Sequence, residues 1–362
     1  MAICHIHITE KNIFDYFRKT IMKNFLIYIP PFIEQDRPNL NNHWVILTLE
    51  LLPQIIEKYN VTVVMRETQY KFLQKNTSLA YKNVRIVFIK DEDLGIEAEA
   101  YNWIYSLYLK TITETKKIFL KNLVSQVLGS SYTPEYVLFF MNPISFLKEL
   151  YPRAKFIGCE AGGLFQTPFP KSWYFDIFGD IPCSYLLKYC MQIRALRANQ
   201  EQNNFIEEIR KSYFLHFRQE KVFEDNEKYF RQFKYNVLLP LQVSNIYSFD
   251  LTCNFKSQFH YLKYVLDNIS PNIGVIVTEH PYFPHMNKQW FEYFSEKYKN
   301  FLYLPLEQEY FRCSENLVKY CDAILNVSST VSFLALWWQK PLISLGRNYF
   351  SVFSDYDGLN GL

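Results

Sequence analysis

The chain has 362 residues, enough for about two domains and a sizeable core. Its 39 Lys and Arg against 36 Asp and Glu leave a net charge of +3, too mild to bind nucleic acid by charge alone. A hydrophobic share of 49% excludes disorder, and with only 10 Gly neither a GxGxxG nor a GxxxxGK[ST] loop occurs.

Residues 1–21 carry Lys, Glu, Asp and Arg, do not look like a secretory signal, and are read as an N-terminal extension. The pair His5 and His7 has no accompanying acid or Cys cluster, so a metal site there is not favoured. Strands are expected at 24–30 (NFLIYIP), 61–65 (VTVVM), 84–89 (VRIVFI), 135–141 (EYVLFFM) and 155–160 (KFIGCE). Helical spacing fills 44–59, 67–75, about 97–128 and 144–150 between them. Apolar strands alternating with helices indicate a parallel sheet covered on both faces.

Residues 161–185 hold Gly162, Gly163, Pro168, Pro170, Gly179 and Pro182 and are read as a long surface loop. A polar helical stretch over 186–234 reads as a connector between domains. The rhythm then resumes, with strands at 237–242 (VLLPLQ), 274–278 (GVIVT), 301–305, 323–327 (AILNV) and 341–345 (PLISL). Helices are expected at 255–268, 288–299, 314–320 with Ser314 as N-cap, and 330–338. The resulting division is 22–185, 186–234 and 235–362, an α/β chain with two parallel-sheet domains facing across a cleft. No apolar run reaches the length that crosses a bilayer. The seven Cys show no CxxC spacing, which suggests reduced thiols in a cytoplasmic protein rather than a disulfide framework.

Ligands of open α/β sheets lie beyond the carboxyl ends of the strands, so candidate chemistry belongs at those ends. Glu160 ends a strand before Gly162 and Gly163 and suits a general base, against the plainer reading of a solvated loop acid. Gln242 ends another strand and has an amide able to read a sugar or base. His280, followed by Pro281, ends a third and can donate to a departing phosphate, although a lone strand-end His is often structural. Ser328, Ser329 and Thr330 stand where a strand passes into a helix; an ordinary cap needs one hydroxyl, whereas three hydroxyls with free backbone amides form an anion site. Together these suit transfer of a group from a nucleotide-activated donor. The run Asp91-Glu92-Asp93 is read as solvated, with no metal role.

The segments VLLPLQ, TEHP and NVSSTVSFLALWWQKPLISLG resemble the capsule polysaccharide biosynthesis glycosyltransferases, the group that includes retaining β-Kdo transferases. CEAGG followed by Asp176 and Gly179 resembles that group's Glu-x-Gly … Asp-x-x-Gly region. The resemblance covers about 235–362 best and reaches thinly back to about 155. It implies a GT-B arrangement of two Rossmann-like domains, an acceptor domain over 22–185 and a donor domain over 235–362. It implies catalytic roles for Glu160 and His280, and nucleotide-sugar binding by Gln242, Pro281, Ser328 and Ser329; Thr330 joins the nucleotide-sugar-binding set from the hydroxyl run itself. It also implies a CMP-linked sugar acid such as Kdo, a glycan or lipid-linked acceptor and no metal or other cofactor. The departing CMP is a phosphate monoester whose growing charge hydroxyls and His280 can stabilise.

One departure stands out. Relatives place an Asp shortly after the Gln, where this chain has Val243-Ser244-Asn245 and the next acid is Asp250, so no covalent intermediate is assigned. The alternatives are a CDP-glycerol-type polyol phosphotransferase, a nucleotide-sugar 2-epimerase and a non-catalytic glycan-binding subunit. The first lacks its acid after the paired Ser, where Phe333, Leu334 and Ala335 stand, and the second its Gly pair. Basic stretches at 110–121 and 210–221 are candidates for peripheral contact with the inner face of the membrane, with a solvated helix face as the plainer reading. GT-B chains often finish with a helix crossing back to the first domain; none follows the last strand here, which leaves a truncated end open.

Overall fold

The computed structural model describes residues 23–29, 40–76, 84–94, 113–140, 144–161, 172–177, 184–216, 220–243, 247–280, 284–304 and 313–361. His5, His7, Gly162, Gly163, Asn245 and Pro281 lie outside these residues. The described residues divide into two compact units, one running to Ala161 and taking in Trp173–Tyr185, the other beginning at Leu186.

The first unit holds β1 (Lys23–Tyr28), α1 (Leu40–Ile56), β2 (Tyr59–Arg66), α2 (Glu67–Asn76), β3 (Val84–Ile89), α3 (Glu114–Leu128), β4 (Tyr136–Phe139), α4 (Ser145–Leu150), β5 (Lys155–Ala161) and β6 (Trp173–Asp176). Its sheet runs β3-β2-β1-β4-β5-β6, the doubly wound order. The apolar β1, β2 and β4 form the centre of this sheet because their side chains are buried on both faces. On one face Leu26, Val64, Val137 and Phe139 pack with Leu120, Leu123 and Val124 of α3 and Phe146 and Leu147 of α4. The stretch 161–185, expected to be a loop, contains β6, which pairs antiparallel with β5. The four aromatic and acidic residues WYFD extend there because β5 presents an open edge, a long-range cause that local composition does not carry.

The second unit holds α5 (Tyr185–Lys188, at its boundary), α6 (Cys190–Ala195), α7 (Gln200–His216), α8 (Glu220–Phe230), β7 (Tyr235–Pro240), α9 (Tyr247–Asp250), α10 (Gln258–Asn268), β8 (Ile273–Thr278), α11 (Lys288–Lys297), β9 (Phe301–Tyr303), α12 (Cys313–Leu317), β10 (Ala323–Asn326), α13 (Val331–Trp337), β11 (Leu342–Ser344) and β12 (Tyr356–Asp357). Its sheet runs β12-β11-β10-β7-β8-β9 with every pairing parallel. Counted from β7, this is the same doubly wound order as the first sheet. The strand residues alternate between two cores: Leu238, Ile276, Ile324 and Leu342 face one, and Val237, Val275, Leu325 and Ile343 the other. The first of these cores also takes Ile206, Ile209 and Tyr213 of α7 and Phe230 of α8. Residues read as a connector over 186–234 therefore supply one helical layer of the second unit.

Ser314 was expected to cap a helix. It lies inside α12, and its hydroxyl meets Thr278 Oγ1 at 2.7 Å in the core. A buried hydroxyl needs a partner more than an exposed turn needs a cap.

Candidate functional site

The doubly wound order reverses direction between β7 and β10, which are neighbours in the second sheet, and this switch point is where such sheets leave a crevice. Gln242 stands two residues past β7, and Ser328 two residues past β10. Across that point the Gln242 side chain clasps Ser328 at both ends. Its Nε2 donates to Ser328 Oγ at 2.9 Å, and its Oε1 accepts the Ser328 backbone N–H at 3.0 Å. The Gln242 backbone N–H is held in turn by Gln258 Oε1 at 2.9 Å, from a fully buried side chain on α10. Gln242 is itself buried, so its amide sets the position of Ser328 rather than standing open for a base. Ser328 Oγ accepts from Gln242, which leaves the hydroxyl proton to donate elsewhere.

The turn that follows is closed from within. Asn326, fully buried, accepts the Ser329 N–H at 2.9 Å, donates to the Ser329 carbonyl at 2.8 Å and reaches the Ser332 hydroxyl. Ser329 Oγ accepts the Val331 N–H at 3.3 Å. The three consecutive hydroxyl residues suggest free amides here. Those of Ser328, Ser329 and Val331 are all taken by side chains of the same fold, because N–H groups turned away from water need partners. The seven residues of α13 also make only a short dipole. What Ser328 and Ser329 themselves offer an anion is their hydroxyl protons. Thr330 is exposed at the N-cap of α13, where its side chain does not cap the helix. Behind this turn Gly346 runs so close that a Cβ there would sit 2.7 Å from the Val327 carbonyl oxygen.

Beyond β8, on the other side of β7, the chain passes through Thr278, Glu279 and His280. His280 is half-buried. At about 4.8 Å between strands, the ends of β8 and β10 lie on the order of 10 Å apart across β7, a span a nucleotide covers. Glu279, which the sequence reading did not single out, is buried, and its carboxylate accepts the backbone N–H of His285 at 2.8 Å and of Met286 at 2.6 Å. These charge-assisted bonds offset the cost of burying the acid. His285, also unremarked in the sequence, has Nε2 at 2.7 Å from the Gln242 carbonyl oxygen. A carbonyl only accepts, so Nε2 carries the proton. No spacing rule singles out His285; only its contact with Gln242 beyond β7 does. Asp250, the acid considered in place of the missing Asp, closes the one-turn α9 and is half-buried.

In the first unit Glu160 is half-buried within β5 and stands opposite Tyr174 of β6. Alternation puts Asp176, two residues along β6, on the same face. Asp176 is buried and accepts the Tyr174 hydroxyl and, at 2.6 Å, the Tyr185 backbone N–H. Cys159 points the opposite way into the core, where burial pushes its thiol well above the ordinary range. Asp91, read as solvated, receives Arg66 Nε and the Thr68 hydroxyl, while Glu92 pairs with Lys90. Among the described residues no group of three or more His, Cys, Asp or Glu is placed to hold a metal ion. Of the basic stretches, Lys117 and Lys121 pair with Glu149, and Arg210 pairs with Glu207 and donates to the Trp337 carbonyl. No described helix is long and apolar enough to cross a membrane.

Comparison with known proteins gives one family match and several distant structural likenesses. Residues 182–355 match the family model described as capsule polysaccharide biosynthesis protein. No curated protein matches the chain significantly. Among solved structures, the chain is similar to the β-Kdo 2,7 transferase of KpsC from Thermosulfurimonas dismutans at 16% identity and a TM-score of 0.40, covering 71% of this chain and 78% of that one. The β-Kdo 2,4 transferase of the same protein aligns at 15% identity and a TM-score of 0.37, covering 60% and 71%. A glycosyl transferase of family 9 from Veillonella parvula DSM 2008 aligns at 10% identity and a TM-score of 0.29, covering 94% and 87%. The matched segment spans the described sheet edge from Gln242 to Ser329, and over that segment this chain is similar to the capsule polysaccharide biosynthesis protein family.

Proposed function

We propose that the chain is a glycosyltransferase of capsule or lipopolysaccharide assembly that transfers a sugar, Kdo or a related sugar acid, from a CMP-linked donor to a glycan or lipid-linked acceptor. The family match over residues 182–355 supports a place in capsule assembly. The observation that carries the reading is the Gln242–Ser328 clasp across the switch point of the second sheet, which holds the Ser328 hydroxyl where a doubly wound sheet takes its ligand.

In the proposed reaction the bond between the anomeric carbon and the phosphate oxygen breaks, and a bond from that carbon to an acceptor hydroxyl oxygen forms. The acceptor proton passes to a base, a role we assign to Glu160. CMP departs as a monoester with one more negative charge than it had as a diester. The hydroxyl protons of Ser328 and Ser329 and the imidazole of His280 are suited to stabilise that charge. We also assign nucleotide-sugar binding to Pro281 and to Thr330, which follows the hydroxyl pair in the chain. The reading assigns no metal ion to the reaction, and it puts the protein at the inner face of the cytoplasmic membrane, where a lipid-linked acceptor is presented. The test is a nucleotide screen by thermal shift. CMP is expected to raise the Tm, and UDP and NAD to leave it unchanged. A shift with UDP and none with CMP would replace the donor assignment.

A further inference from the structure

We infer that Glu279 and His285 are positioning residues that fix the Ser328 hydroxyl through the main chain of Gln242, a role that rests on the reading of Ser328 as a donor-phosphate ligand. Three observations carry this. Glu279, at 3% exposure, is a buried carboxylate whose close partners are the backbone N–H groups of His285 and Met286, at 2.8 and 2.6 Å; the Tyr303 hydroxyl lies at 3.5 Å. Its bonds therefore shape the loop that carries His285. His285 Nε2 meets the Gln242 carbonyl oxygen at 2.7 Å. The side chain of the same Gln242 holds both the N–H and the Oγ of Ser328.

Gln242 is thus pinned at three points. Gln258 takes its N–H, His285 takes its carbonyl and Ser328 takes its amide. A glutamine side chain has three rotatable bonds, and its two-point grip on Ser328 holds its geometry only if the backbone it hangs from is fixed. The strand alone does not fix it, because β7 ends at Pro240 and Gln242 lies beyond the regular ladder. The carboxylate is placed to order a loop, the loop to deliver an imidazole N–H, and the imidazole to lock the residue that aims the hydroxyl. Neither Glu279 nor His285 needs to touch the nucleotide.

The experiment measures amide hydrogen exchange of the segment containing Ser328 in the ligand-free protein, and CMP affinity by calorimetry, for wild type and for S328A, H285A, H285Q, E279Q and E279Q/H285A. H285A should speed exchange at Ser328 and weaken CMP binding about three- to tenfold, the worth of one well-placed hydrogen bond. H285Q, which brings an amide N–H to nearly the reach of Nε2, should restore both. E279Q should weaken binding to a similar extent, and the double variant should be no worse than H285A, since both substitutions act along one path. Unchanged Ser328 exchange in H285A overturns the inference, as does failure of H285Q to restore it or an additive double variant. If H285A does not fold, H285Q and E279Q read the same two quantities, and E279Q with wild-type exchange overturns it. S328A separates the two claims: CMP affinity unchanged in S328A overturns the donor-site reading, while the exchange data judge the positioning role by itself.

Discussion

The two sheets share one strand order, yet their carboxyl edges are built differently. At the edge of the second sheet, side chains hold backbone: Gln242 holds Ser328, Asn326 holds Ser329, Glu279 holds His285 and Met286, and Gln258 holds Gln242. At the edge of the first, side chains mostly meet side chains, as Arg66 and Thr68 meet Asp91, and Tyr174 meets Asp176. A backbone gripped by buried amides and carboxylates keeps fixed hydroxyls, which suits recognition of a constant group such as a nucleotide phosphate. An edge of charged and phenolic side chains suits an acceptor whose hydroxyl must lose a proton.

That contrast is open to direct attack. The largest effect is expected from Glu160→Gln and His280→Ala, each lowering transfer at least about a hundredfold with the Tm little changed. Glu160→Gln should leave CMP affinity within about twofold of wild type. A Glu160 variant that loses CMP binding would break the division of roles, and wild-type turnover in the His280 variant would remove His280 from the chemistry. Gly346→Ala is next. Its Cβ would press on the Val327 carbonyl from 2.7 Å, directly before Ser328, and should cost about 1–3 kcal/mol in urea unfolding while weakening CMP binding. Stability and affinity both unchanged would mean that the second edge yields more easily than its bonding implies.

The smallest effect is expected away from both edges. Asp267 on α10 accepts from Lys263 and from the Tyr298 hydroxyl, which hold its carboxyl below the usual range. A depressed carboxyl stabilises above its unfolded pKa, and the gain is lost as pH falls through the folded value. Asp267→Asn should therefore cost a few tenths of a kcal/mol at pH 7, since the pair is about a third exposed and screened. The difference should fade below about pH 4 and in high salt, with turnover and CMP affinity unchanged. A changed CMP affinity in this variant would show that surface charge, not the gripped edge, sets binding.

Much of this was legible in the residues because the strands are locally consistent. VRIVFI over 84–89 is β-branched and apolar, and it forms β3 with those bounds. The short WYFD strand was not legible, since only the open edge of β5 makes it extend. Ser314 misled because Ser before a helical run reads as a cap, whereas burial beside Thr278 decides its partner.

From the sequence alone came the alternation of strands and helices and the four strand ends bearing Glu160, Gln242, His280 and Ser328. Which of those ends meet was decided by the sheet order, which sets β7 beside β10 and brings Gln242 to Ser328 over 86 residues of chain. Local propensity acts over a few residues and is written in them. Strand order comes from how whole layers bury their faces, so the bonds it creates, and with them the places of Glu279 and His285, exist only in the folded sheet.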